Sequence, residues 1–175
     1  MTENRSIHLD LADEAATVGL GRAIADSLRG GEVIGLIGTL GAGKTRLSRA
    51  IAEALGVDPS AISSPTFTLI HEYVGKLSVH HFDTYRLRSV EEFDDLDPAE
   101  YWSRGDGVCL IEWADRVLDR LPADSWRIRI EAGEGTERRV ELTLPDAATL
   151  ERVEAAIARD SASLRRVREV ESNDR

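Results

Sequence analysis

The sequence has little cysteine, few aromatic residues and no long hydrophobic run. Its 175 residues include a single cysteine, which excludes an internal disulfide framework and is typical of a reducing cytoplasm. No apolar run approaches the roughly 20 residues needed to cross a bilayer, and no apolar signal core follows the first five residues. With 42% hydrophobic and 31% charged residues, we expect one cytoplasmic globular domain with no membrane partner.

Positive charge is also scarce. The chain has 32 acidic and 22 basic residues, which gives a formal net charge of −10. Proteins that hold nucleic acid draw most of their affinity from lysine and arginine side chains that neutralise phosphates. The composition therefore predicts no DNA binding, and it predicts that any contact with RNA depends on another protein.

The apolar spacing predicts strands and helices in a single domain over residues 1–159. We expect a short edge strand at 7–11, a helix capped by Asp13, a strand at 32–37 and a helix at 44–55. Strands are expected at 63–73 and 77–83, around a turn at Gly75, then a helical region at 91–102 and a buried strand at 108–111. Late strands at 126–131 and 139–144 precede a helix at 147–159, and we expect a polar, flexible tail over 160–175.

The segment GTLGAGKT, residues 38–45, fits the pattern G-x-x-x-x-G-K-[ST] at every fixed position and lies between a predicted strand and a predicted helix. Glycines in such a loop let backbone N–H groups point at phosphates, at the positive end of a helix. Lys44 then reaches the β- and γ-phosphates, and the Thr45 hydroxyl ligates Mg²⁺. The predicted nucleotide-binding residues of the loop are Leu40, Gly41, Ala42, Gly43, Lys44 and Thr45.

A phosphate loop also needs an acidic group near Mg²⁺, usually at the end of a neighbouring buried strand. Glu112 directly follows the apolar run 108–111 and is the predicted metal ligand. Asp83 ends another apolar run, where it could either orient a metal-bound water or cap its own loop. Trp113 follows Glu112 and could serve the site or cap the sheet.

Other reactive residue types favour a structural role. Cys109 lies inside an apolar strand, which indicates core packing. His80 and His81 are adjacent, so on a strand they point to opposite faces and cannot form a joint metal site. Trp102 and Trp126 are interpreted as packing residues.

The nucleotide and the reaction are less constrained by the motifs. No Asn-Lys-x-Asp guanine-reading motif is present, which favours ATP over GTP. Arg116 and Arg120 could form the arginine lid of a small-molecule kinase, or a solvated helix face with Asp115 and Asp119. From the residues alone, the chain is a Mg-ATP-binding protein that is either an ATPase or a kinase.

Four blocks in this order and spacing resemble one family: GTLGAGKT (38–45), SPTFTL (64–69), HFDTYRL (81–87) and IEW (111–113). They are similar to the bacterial ATPase family of tRNA threonylcarbamoyladenosine biosynthesis, the TsaE family, over roughly residues 13–144. The resemblance implies a P-loop NTPase-like three-layer α/β fold with a mostly parallel central sheet and antiparallel edge strands. It also implies an ATPase that acts with two subunits of the threonylcarbamoyl-transferase complex to modify adenosine 37 of tRNAs reading codons that begin with A.

The resemblance also assigns roles to residues. It implies that Thr45 and Glu112 hold Mg²⁺, that Lys44, Asp83 and Trp113 take part in catalysis, and that Thr66 and Thr17 contact the nucleotide. The second loop residue departs from the family, which usually has aspartate where this chain has Thr39. Any contact that this aspartate makes to a partner or to the loop backbone is therefore in doubt here.

Overall fold

The computed structural model describes residues 5–63, 68–160 and 164–166. Its strands form one eight-stranded mixed sheet, with the order β3-β4-β5-β2-β6-β7-β1-β8. In chain order the strands are β1 (Ser6–Leu11), β2 (Val33–Ile37), β3 (Ile70–Tyr73), β4 (Ser78–Asp83), β5 (Gly107–Glu112), β6 (Trp126–Ala132), β7 (Arg138–Thr143) and β8 (Arg165–Arg166).

The four central strands are parallel and the outer strands are antiparallel. β2 pairs in parallel with both β5 and β6, and β4 pairs in parallel with β5. β3, β7, β1 and β8 each pair antiparallel with their neighbours. This arrangement confirms the predicted fold class. The prediction that residues 7–11 form an edge strand is wrong, because β1 lies between β7 and the two-residue β8.

The described residues contain five α-helices: α1 (Glu14–Ser27), α2 (Lys44–Ala54), α3 (Val90–Asp94), α4 (Pro98–Ser103) and α5 (Ala147–Arg159). The predicted cap is present, since the Asp13 carboxylate accepts a hydrogen bond from the Ala16 N–H at 2.9 Å. The helical region predicted at 91–102 is two short helices. Asp97 separates them with a φ of 48°, a left-handed conformation that interrupts the helical backbone.

Two hydrophobic cores, one on each face of the sheet, make the fold three-layered. On β2, Ile34 and Leu36 face one core while Val33 and Ile37 face the other, as expected for successive residues of a strand. Helices α1, α2 and α5 cover the first face, and α3, α4 and the 3-10 turns after β5 cover the second. The carboxyl ends of β2, β4 and β5 therefore open beside the start of α2.

The segment predicted as a polar tail includes residues that pack on the domain. Leu164 is buried in the first core, and β8 pairs with β1. Residues 161–163 and 167–175 lie outside the described residues, so the predicted flexibility remains a prediction there. Within the described ranges, no helix is both long enough and apolar enough to cross a membrane.

Candidate functional site

The glycine-rich loop connects β2 to α2, as predicted. Gly43 caps α2 with a φ of 112°, a backbone conformation that residues with a side chain rarely adopt, so glycine is required there. Gly38 lies against β6, where an added Cβ would come within 2.4 Å of the Ile130 carbonyl oxygen. The sequence therefore places glycine where the backbone must turn sharply or approach another strand, which brings the start of α2 to the end of the sheet.

Lys44 is buried at the first position of α2 and turns back onto the loop. Its ammonium donates hydrogen bonds to the carbonyl oxygens of Gly38, at 2.6 Å, and Thr39, at 2.9 Å. The same nitrogen lies 3.6 Å from the centre of the Trp113 ring, within the range of a cation–π interaction. Lys44 is thus held under the loop by two carbonyl groups and one aromatic face.

Glu112 lies at the end of β5, next to β2, with its side chain 2% exposed. One carboxylate oxygen, Oε2, accepts a hydrogen bond from the Thr45 hydroxyl at 2.7 Å. The other, Oε1, lies 2.7 Å from Nε2 of His81 on β4. The two residues predicted to hold the metal therefore meet, and a histidine contacts the second oxygen of the carboxylate.

Asp83 and Trp113 lie at the ends of neighbouring parallel strands. Asp83, 5% exposed, pairs in register with Glu112 and accepts a hydrogen bond from the Tyr85 N–H at 2.9 Å. It therefore caps its own loop, which was one of the two readings left open. Trp113 has a φ of 59°, and the Thr84 hydroxyl lies 2.8 Å from its carbonyl oxygen. The Tyr85 ring contacts the Trp113 ring, with centroids 4.8 Å apart.

These residues surround a cavity of about 280 Å³ that opens above the loop. It is lined by Leu40, Gly41, Gly43, Lys44, Thr45, Arg46, Asp83, Tyr85, Glu112 and Trp113. Eight of these ten were singled out from the sequence, so the structure brings together most of the predicted site.

Negative charge exceeds positive charge around the Lys44 ammonium. Burial lowers the pKa of Lys44 from its ordinary value, while the nearby carboxylates of Glu112, Asp115 and Asp83 act in the opposite direction. Mg²⁺ prefers oxygen ligands and binds through one or two carboxylates together with substrate phosphates. A threonine hydroxyl and a buried carboxylate 2.7 Å apart, beside the glycine-rich loop, fit that requirement.

The remaining predicted residues are placed as follows. Leu40 is 79% exposed at the tip of the loop, whereas Ala42 is fully buried and its carbonyl accepts a hydrogen bond from Arg138 at 2.7 Å. Thr17 is buried in α1, with its hydroxyl 3.5 Å from the Asp13 carbonyl oxygen, and it is not among the described residues that line the cavity. Thr66 lies outside the described residues.

Sequence reasoning missed two residues that support the site. His81 was interpreted only through its inability to share a metal with His80, yet it contacts Glu112. Counting alternate positions along β4 back from Asp83 would have placed it on the Glu112 face. Arg138 donates hydrogen bonds to the loop carbonyls of Ala42 and Gly41, and no sequence signal connects residue 138 with residues 38–45.

The two arginines proposed for a lid are engaged elsewhere. The Arg120 guanidinium contacts both carboxylate oxygens of Asp94 at 3.0 Å. Arg116 donates to the Tyr85 carbonyl oxygen. Neither side chain is among the cavity-lining residues in the described part of the chain. Both arginines also contact acceptors other than Asp115 and Asp119, the partners in the alternative of a solvated helix face.

Together, β2, the glycine-rich loop and α2, with a carboxylate ending the adjacent parallel strand, define an α/β protein with a mixed sheet and the strand–loop–helix arrangement that the motif at 38–45 predicts. Comparison with known families narrows this class. Residues 11–140 match the family described as "Threonylcarbamoyl adenosine biosynthesis protein TsaE". The chain therefore belongs to the TsaE family, which confirms the resemblance of the four sequence blocks.

Individual relatives support this assignment. Proteins described as "tRNA threonylcarbamoyladenosine biosynthesis protein TsaE" from Bacillus subtilis and from Nostoc are 39% and 35% identical to the chain. The first match covers 73% of this chain and 78% of the relative, and the second covers 82% and 89%. The crystal structure of Bacillus subtilis YdiB superposes with a TM-score of 0.69 at 29% identity, covering 89% of this chain and 96% of YdiB.

Proposed function

We propose that the chain is a Mg²⁺-dependent ATPase required for threonylcarbamoylation of adenosine 37 in tRNAs that read codons beginning with A. The observation that carries the proposal is the contact between the Thr45 hydroxyl and the buried Glu112 carboxylate at the mouth of the phosphate loop, in a chain of the TsaE family. A loop that holds phosphates and a carboxylate that holds a metal are the two parts that phosphoryl transfer from a nucleotide needs.

The residues of the site divide the work. The loop N–H groups bind the phosphates, and Lys44 exchanges its carbonyl partners on Gly38 and Thr39 for phosphate oxygens. Thr45 and Glu112 hold Mg²⁺, which neutralises the charge that develops on the phosphates. Asp83 and Trp113 line the same cavity, Asp83 beside the metal ligands and Trp113 over Lys44.

We expect the rate of ATP hydrolysis to depend on partner proteins because of the arginines that are missing from the described lining of the cavity. No arginine other than Arg46 lines the cavity, and Arg46 is paired with Glu14. An arginine that stabilises the transition-state charge on the γ-phosphate raises the rate of phosphoryl transfer by about 10³–10⁵, and a partner protein can supply it in trans. We therefore expect slow hydrolysis by the isolated protein and faster hydrolysis when two transferase-complex subunits complete the site. A chain with a net charge of −10 would meet tRNA indirectly, through those partners, in the cytoplasm.

The small-molecule kinase remains the alternative class, but no observation favours it, because neither arginine is among the described residues that line the cavity: Arg120 contacts Asp94, and Arg116 donates to the backbone carbonyl of Tyr85. Phosphate release distinguishes the two. The rate should rise when the transferase subunits are added to protein and Mg-ATP, and it should not rise with a panel of sugars, nucleosides and amino acids. Stimulation by a small acceptor that becomes phosphorylated, with no effect of the subunits, would establish the kinase instead.

A further inference from the structure

His81 lies on β4, whose residues face alternate sides of the sheet. Val79 faces the core under α2, and two residues further along the strand His81 faces the same side. β4 and β5 are parallel neighbours, and His81 pairs in register with Leu110, two residues before Glu112. The imidazole therefore reaches diagonally across one strand spacing to the carboxylate.

The contact between His81 and Glu112 is short and shielded from water. Nε2 lies 2.7 Å from Oε1, and the two side chains are 3% and 2% exposed. An ionised carboxylate only accepts hydrogen bonds, so Nε2 must carry the proton that is donated. The Thr45 hydroxyl occupies the other oxygen. Both oxygens of Glu112 thus have a fixed donor, and the plane of the carboxylate is set by two neighbours on different elements.

The adjacent histidine shows that burial on this strand does not by itself demand such a contact. His80 is also 3% exposed, but it faces the opposite core and packs edge-on against Tyr101, with ring centroids 5.1 Å apart. Among the described residues, neither of its ring nitrogens has a hydrogen-bond partner, and Glu72 comes no closer than 3.5 Å. The chain therefore offers a matched pair of buried histidines, of which one contacts the predicted metal ligand.

We propose that His81 is a positioning residue for the metal site: its Nε2–H holds the Glu112 carboxylate in the orientation that binds the Mg²⁺ of Mg-ATP. The inference rests on the proposed function. Groups that orient metal ligands typically change metal affinity about 10–100-fold when removed. Because the described residues that line the cavity do not include His81, its loss should weaken binding of the metal more than binding of the phosphates.

The test measures the affinity of the protein for Mn²⁺, which replaces Mg²⁺ because free Mn²⁺ gives an electron paramagnetic resonance signal. The protein is saturated with a non-hydrolysable ATP analogue. Replacing His81→Leu should weaken Mn²⁺ binding about 10–100-fold. His81→Gln, whose side-chain amide can still donate to Glu112, should recover most of the affinity. His80→Leu, an equally buried change on the same strand, should leave the Mn²⁺ affinity of the folded protein unchanged.

Different outcomes separate the inference from the function on which it rests. Absence of nucleotide-dependent Mn²⁺ binding by the wild-type protein would overturn the proposed function itself. Wild-type affinity in folded His81→Leu, or an equal loss in His81→Gln, would overturn the role of His81 alone. Should His81→Leu not fold, the wild-type imidazole still provides a test by ¹⁵N NMR, which should show the proton on Nε2; a proton on Nδ1 alone would refute the donated bond.

Discussion

Replacing Glu112 by glutamine changes one of the two carboxylate oxygens, both of which accept hydrogen bonds, into an NH₂ group that donates. The carboxylate accepts from the Thr45 hydroxyl and from His81, at 2.7 Å each. An amide of the same shape retains one acceptor and presents an NH₂ group to the other donor. In the nucleotide-free protein the Thr45 hydroxyl can rotate to accept from that NH₂ group, so no donor is left without a partner, but two hydrogen bonds to a charged acceptor become neutral ones, which costs about 1–3 kcal/mol. For a domain of this size each kcal/mol corresponds to about 2–4 °C in Tm.

The effect on turnover should be larger than the effect on stability. The substitution removes the charge that would hold Mg²⁺ while leaving the loop N–H groups and Lys44 in place. Losing one such stabilising group from a preorganised site costs about 10²–10³-fold in rate. Nucleotide binding should weaken much less, because most phosphate contacts come from the loop.

Three measurements check this prediction: phosphate release against Mg²⁺ concentration, nucleotide affinity by calorimetry and Tm by differential scanning fluorimetry. Glu151→Gln, the same chemical change at an exposed position of α5, provides the control and should match the wild type in all three. Identical metal dependence in Glu112→Gln and wild type would refute the assignment of Glu112 as a metal ligand and would transfer that role to Asp83.

Three further predictions concern other parts of the molecule. Lys44→Met should abolish turnover. Burial lowers the pKa of Lys44, so just below pH 10.5 the folded wild-type protein binds fewer protons than the unfolded chain. The stability of the wild type relative to this variant, measured by urea unfolding, should therefore rise with pH in that window. Burial raises the pKa of Cys109 to about 12, so iodoacetamide should modify it at pH 8 only after unfolding, and rapid native labelling would contradict its place in the core. Gly21→Ala should destabilise the protein by about 1–3 kcal/mol and lower its Tm, because the added Cβ would lie 2.5 Å from the Ala50 Cβ. An unchanged Tm would contradict this, since it would mean that α1 and α2 can move apart to accommodate the methyl group without cost.

The parts of the site that the sequence predicts are those that depend on local order along the chain. The pattern 38–45 predicts the loop because its glycines and Lys44 act through backbone geometry within eight residues. Glu112 is predictable because it follows a buried strand of four apolar residues, and the carboxyl ends of parallel strands lie at the same end of the sheet as the loop. Glu112 contacts Thr45 of the loop because β2 and β5 are neighbouring strands.

The parts that the sequence does not predict depend on pairing between distant strands. The contact of His81 with Glu112 requires the parallel register of β4 and β5, which no local pattern encodes. Arg138 reaches the loop only because β7 turns back antiparallel beside β6. The break between α3 and α4 is different, because Pro98 signals it locally: proline disfavours the helical conformation at the preceding Asp97 and is common at the first position of a helix.

The most direct test of the central claim is the amount of threonylcarbamoyladenosine formed in tRNA, measured by mass spectrometry of its nucleosides. The reaction contains the two transferase subunits, substrate tRNA, the threonylcarbamoyl donor and Mg-ATP, with or without this protein. We expect more threonylcarbamoyladenosine with the wild-type protein than without it, and no such increase with Lys44→Ala. Equal product in the presence and absence of the protein, or full support by Lys44→Ala, would contradict it.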